Sequence, residues 1–140
     1  MYQKIIIAGN LGRDPEMRYT QSGQAVTNFS VATNRQYTAS DGQLVKETIW
    51  FRVSAWGKLA ETCNQYLRRG SKVLVEGRLN ADAQTGGPRV YTRQDGTCGA
   101  SFEITAGTVR FLSTRQDDEA YQAANPSSGE PSAAADDIPF

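Results

Sequence analysis

Apolar residues recur at every second position through most of the first 115 residues. The stretch KIIIAGNL (4–11) opens as an apolar strand. AVTNFSVATNR (25–35) alternates, with Thr27, Phe29, Val31 and Thr33 on one side and Val26, Asn28, Ser30 and Ala32 on the other. ETIWFRVSAW (47–56), SKVLVEGRL (71–79) and SFEITAGTVRFLS (101–113) complete a set of five predicted strands. One segment breaks the two-residue period. GKLAETCNQYLRRG (57–70) puts Leu59, Cys63, Tyr66 and Leu67 on one helical face, with Arg68 and Arg69 in the expected last turn and Gly70 as the stop. Residues 80–100 are long and glycine-rich, with turn signals at TGG and QDG, and predict a protruding loop or hairpin arm.

Five strands with one helix between the third and fourth predict an all-β domain in the order of an OB-fold, a small barrel. An unrelated α+β fold is the alternative. From Gln116 onward Ala, Ser, Pro, Gly and acids dominate with no apolar period, so no packed structure is expected. The predicted division is a domain at 1–115 and a disordered acidic tail at 116–140.

The third predicted strand carries the candidate chemistry. Alternation sends Ile49, Phe51, Val53 and Ala55 one way, a sufficient core face, and Trp50, Arg52, Ser54 and Trp56 the other. Aromatic rings interleaved with a cation suit single-stranded nucleic acid, because bases stack on the rings while the guanidinium meets phosphate. The same face also suits a subunit interface.

Composition narrows the function classes. The formal net charge is zero, but residues 1–115 hold all fifteen Lys and Arg against nine acids, whereas 116–140 hold six acids and no base. A basic body points to a polyanionic partner and leaves the tail a separate role. Further cations and an aromatic extend the candidate surface: Arg13, Arg18, Arg35, Tyr37, Lys58, Arg68, Arg69 and Lys72. There is no histidine, and Cys63 and Cys98 are far apart, which removes Cys/His zinc sites and His-based acid–base catalysis. No P-loop and no cluster of carboxylates appears, so neither an enzyme nor a metal or cofactor site is expected. In GNLGRDP no helix follows the strand, so a dinucleotide fingerprint fails, and turn chemistry accounts for Gly9, Gly12 and Pro15. Without an apolar run of membrane-spanning length or a secretory leader, a cytoplasmic protein is expected.

With these residues in view, the chain resembles bacterial single-stranded DNA-binding proteins. The resemblance rests on IIIAGNLGRDPEMRYT, VTNFSVATN, TIWFRVSAWGKLAETCNQYLRRGSKVLVEGRL and the final DDIPF. It implies an OB-fold that assembles as a homotetramer and wraps single-stranded DNA with little sequence preference. It implies that Trp50 and Trp56 stack bases, with Tyr37 where another aromatic is common, and that Arg52, Lys58, Arg69 and Arg18 line the DNA path. It implies that the tip, Asp136, Asp137, Ile138, Pro139 and Phe140, docks replication, recombination and repair proteins. The chemistry of the tip fits, since a pocket can take the Phe140 ring while a basic rim meets the acids. One departure stands out. The family often carries a further stacking tryptophan in the arm, where this chain has Gln84, with Arg89, Tyr91 and Arg93 further along. Two rival readings are an RNA-binding module of the same fold and a protein-interaction adaptor whose tryptophan face is an interface.

Overall fold

A Cβ placed on Gly9 would lie 2.1 Å from the carbonyl oxygen of Ala32. Only a residue without a side chain lets two strands approach that closely, and this approach is where the barrel closes. In a computed structural model, which describes residues 1–114, 119, 120, 123 and 124, seven strands and one helix follow one another within residues 1–114. They are β1 (Ile5–Leu11), β2 (Glu16–Tyr19), β3 (Ala25–Thr38), β4 (Leu44–Trp56), α1 (Lys58–Tyr66), β5 (Lys72–Asn80), β6 (Arg89–Thr92) and β7 (Cys98–Phe111). The sheet runs β1-β5-β7-β4-β3-β2, and a further pairing joins β1 to β3. Strands β1, β5, β7, β4 and β3 therefore form a closed five-stranded barrel, with α1 between β4 and β5, the OB-fold order that the sequence predicts. Two short strands add to the five: β2 extends β3, and β6 pairs with the start of β7 as a hairpin arm.

Alternation decides what fills the barrel. Leu11, Phe29, Val31, Val53, Ala55, Val73, Val75 and Ile104 point inward and are fully buried or nearly so. The helix caps one end through Ala60 and Cys63, with Leu67 just beyond it entering the core. Burial pushes the Cys63 thiol from its usual 9.0 up to about 11, so it stays protonated and behaves as a small apolar side chain. Both cysteines are free; Cys98 is exposed in the arm.

Four expectations need correction. Ile49 is 42% exposed, outside the core, because β7 runs alongside β4 only from Phe51 to Ser54 and the β3–β4 hairpin projects beyond it. The helix ends at Tyr66, with Leu67 already extended, so Arg68 and Arg69 lie in the turn that follows and not in the last helical turn. Tyr66 leaves the helix's buried face and packs on Phe111, ring centroids 6.0 Å apart. Gly9 and Gly12 do not have positive φ, so close packing, not turn conformation, requires them. Gly42 and Gly96 are among the glycines that do have positive φ, each closing a hairpin after an aspartate that accepts a backbone N–H.

Of the tail, Glu119, Ala120, Ala123 and Ala124 have helical backbone and are exposed, and the tip residues lie outside the described residues. Among the described residues no helix is long and apolar enough to cross a membrane, and no three metal-ligating side chains cluster.

The helix is tied to the barrel by one buried polar contact. The Thr27 hydroxyl, fully buried on β3, donates to the Ala60 carbonyl at 2.6 Å. Thr27→Val keeps the shape and removes that bond, while the Ala60 carbonyl stays an acceptor within the helix, so the cost is about 0.5–1.5 kcal/mol. Urea unfolding of the variant will show a midpoint lowered accordingly; an unchanged midpoint would contradict this role of the contact.

Candidate nucleic-acid interface

The registers of six strands fix which side chains share the outer face around β4. Trp50 stands opposite Ala32, which pairs with no one further than Asn10 of β1 on its other side. Arg52 stands opposite Ser30 on one side and Glu103 on the other, and Glu103 opposite Asn80. Ser54 lies between Asn28 and Thr105, with Glu16 beyond Asn28 and Arg78 beyond Thr105. Trp56 faces Val26, and Val26 faces Arg18. Directly opposed residues point the same way, so these rows form one continuous surface. Trp50 and Trp56 sit six positions apart on it, about 20 Å along an extended strand.

Both rings are accessible. Trp56 is 42% exposed at the end of β4, and Trp50 is half-buried. Between them the surface is polar and tightly bonded. The Ser54 hydroxyl donates to Asn28 at 2.7 Å, and Thr105 donates to Asn80 at 2.8 Å. Arg52 donates to the Glu103 carboxylate at 3.3 Å, and Arg89 of the arm approaches the same oxygen at 3.8 Å. Burial pulls the Arg52 guanidinium below its ordinary value, an effect that Arg89 and Arg18 reinforce and the Glu103 carboxylate opposes. Arg52 is thus a held cation, not a swinging one.

The other sequence-predicted residues divide into three groups. Arg18 and Lys58 are exposed beside Trp56, one across β3 on β2 and the other at the first position of α1. Arg35 and Tyr37 lie on the projecting β3–β4 hairpin, the guanidinium 4.9 Å from the ring centre, on the opposite face of that ribbon from Trp50 by strand alternation. Arg69 and Lys72 flank the turn after α1, where the Arg69 N–H donates to Asp14 at 2.8 Å. Lys72 lines a cleft of about 340 Å³ with Tyr66, Leu67, Arg68 and Phe111. In the arm, Tyr91 and Arg93 pack against one another with 5.7 Å between guanidinium and ring. Arg78 belongs to the face and went unnoticed in the sequence. Inward Val73 and Val75 imply that it points outward, but only the β5–β7 register brings it beside Thr105.

Two ion pairs test how much burial matters. Arg52 and Glu103 are 10% and 17% exposed, whereas Arg35 and Glu47, 3.7 Å apart, are 73% and 43% exposed. Glu103→Gln leaves a half-buried guanidinium without its counter-charge and will cost roughly 2–4 kcal/mol in denaturant unfolding. Glu47→Gln will cost less than about 1 kcal/mol. Equal costs would contradict the burial argument.

Comparison with known proteins places this geometry in a lineage. Residues 2–112 match the Single-strand binding protein family. A protein of Chlorobaculum tepidum named Single-stranded DNA-binding protein 1 is 36% identical over 156 aligned positions, covering 98% of this chain and 96% of that one. A Single-stranded DNA-binding protein of Neisseria meningitidis is 40% identical over 114 residues, 81% of this chain and 62% of its own length. One from Xanthomonas axonopodis pv. citri is 43% identical over 112 residues, 80% of this chain and 58% of its own length. The matched segment holds the closed barrel, the tryptophan face and the arm together, and the chain belongs to the single-strand binding protein family.

Proposed function

We propose that this chain binds single-stranded DNA without sequence preference, coats and protects it, and does so through the outer face of β4. The observation that carries the reading is the pair of accessible indoles, Trp50 and Trp56, on one face of a strand whose other face is core. Bases of any identity present a π-face to such rings, which accounts for tolerance of sequence. Arg18 and Lys58 supply phosphate contacts beside Trp56, and Arg52, oriented by Glu103, supplies one between the rings. Arg69 and Lys72 extend the path at its margin, and Arg35 and Tyr37 meet DNA that passes around the projecting hairpin to its other face. The names of the relatives favour the same reading, and no catalytic step is assigned.

Residues 1–115 act as the binding domain and 116–140 as an acidic tail. The protein works in the cytoplasm in association with the nucleoid, and the tail's tip, Asp136 to Phe140, recruits replication, recombination and repair proteins. Self-association is also part of the proposal. Ile6 is 59% exposed on the outer face of β1, beside exposed Ala8 and its partner Leu74, and an apolar patch of this kind suits a homotetramer. Sedimentation equilibrium giving the mass of one chain would contradict it.

Affinity measurements separate the roles. Trp50→Ala and Trp56→Ala will each weaken binding to oligothymidine by about 1–3 kcal/mol without changing the slope of log affinity against log salt. Lys58→Ala and Arg18→Ala will each flatten that slope by about 0.7. Full affinity in both tryptophan variants would move the indoles to a protein interface. Deleting residues 133–140 will leave DNA binding at physiological salt intact and abolish capture of replication and repair proteins; undiminished capture would contradict the role of the tip.

A further inference from the structure

Gly12 lies one residue past β1, and its N–H donates to the Ser30 carbonyl at 3.2 Å, carrying the β1–β3 pairing one step further. Its φ is not positive, so no left-handed conformation demands glycine here. What demands it is a ring. A Cβ at this position would lie 2.4 Å from Cζ3 and 2.6 Å from Cη2 of Trp50, and 3.4 Å from the Ser30 hydroxyl. Carbon atoms settle at about 3.5–4.0 Å, so a single methyl group would have to push the indole away by about 1 Å or more. The benzo edge of Trp50 therefore rests on bare backbone.

Gly9 makes the contrast. There the obstructing atom is a backbone carbonyl, so a side chain would strike the barrel itself. At Gly12 the obstructing atoms belong to a side chain, which yields more easily than backbone. A substitution at Gly9 attacks the fold, while one at Gly12 attacks the orientation of Trp50.

We propose that Gly12 is a positioning residue for nucleic-acid binding, the floor against which the Trp50 indole lies so that the ring is oriented before a base arrives. The inference rests on the reading of Trp50 as a stacking platform. A ring held in place loses less freedom on binding than one that must be ordered at that moment. The loop after β1 and the centre of β4 thus act as one unit, although 38 positions separate the two residues in the chain.

The test is a double-mutant cycle read with oligothymidine. Gly12→Ala is made in the full-length protein and again in Trp50→Phe, whose smaller ring lacks the two benzo carbons that the methyl meets. In the wild-type background Gly12→Ala will weaken binding about fivefold, the low end of a lost base stack, with an unchanged salt slope. In a Trp56→Phe protein, where Trp50 alone reports, the substitution will shift its emission to the red. In the Trp50→Phe background the same substitution will cost less than about twofold. An equal loss in both backgrounds, or no loss in the wild-type background, overturns the inference. If Gly12→Ala alone does not fold, recovery of folding in Gly12→Ala/Trp50→Phe supports the ring contact and continued failure overturns it. Full affinity in Trp50→Ala would instead sink the stacking reading itself, which separates the two failures.

Discussion

Strand β4 is hydrogen-bonded to β3 along its length and to β7 over Phe51–Ser54, so each of its side chains has only two directions to take. Everything else in the domain follows from that restriction. Phe51, Val53 and Ala55 turn inward and anchor the core, and the residues between them are committed to the outside. A strand at a sheet edge could twist away or bulge to hide its outer residues; β4 is paired on both sides over Phe51–Ser54, and Trp50 and Trp56, one and two positions beyond that stretch and paired with β3, continue its alternation. The β3–β4 pairing therefore holds two indoles on the face opposite the core.

The electrostatics depend on this arrangement as well. A net charge of zero conceals a body rich in bases and a tail rich in acids. Within the body the cations are not equivalent. Arg18 and Lys58 are exposed and suited to mobile phosphate contacts, while Arg52 is nearly enclosed and held by Glu103. Glu103 also draws in Arg89, which links the arm to the centre of the face. An anion arriving there meets cations whose directions are already set.

Much of this was legible in the sequence because the relevant signals are local. Alternation over 47–56 is enough to separate the core face from the tryptophan face, and the element order is enough to name the barrel. What escaped depends on contacts distant in the chain. Ile49 obeys the alternation yet lies outside the core, since only the short β4–β7 pairing says where the barrel ends. Arg52 reads as an exposed cation until β7 brings Glu103 beside it. Gly12 reads as a turn residue until the fold lays an indole across it. The helix stops at Tyr66, earlier than its periodicity implies, because Leu67 leaves it to enter the core. The two short strands β2 and β6 are simply too brief to carry a period. Tyr37 reads as an extension of the tryptophan surface, but strand parity puts it on the opposite face of the hairpin from Trp50.

The central claim is that the two indoles on the outer face of β4 receive bases. Both tryptophans of the chain lie on that face, so intrinsic fluorescence reports it without a label. Titration with oligothymidine at low and high salt is the most direct measurement. Strong quenching at low salt that weakens as salt rises is the predicted result, since it requires stacking and phosphate contacts together. A folded protein whose tryptophan emission does not change on adding oligothymidine at low salt would contradict the account and return the face to a protein interface.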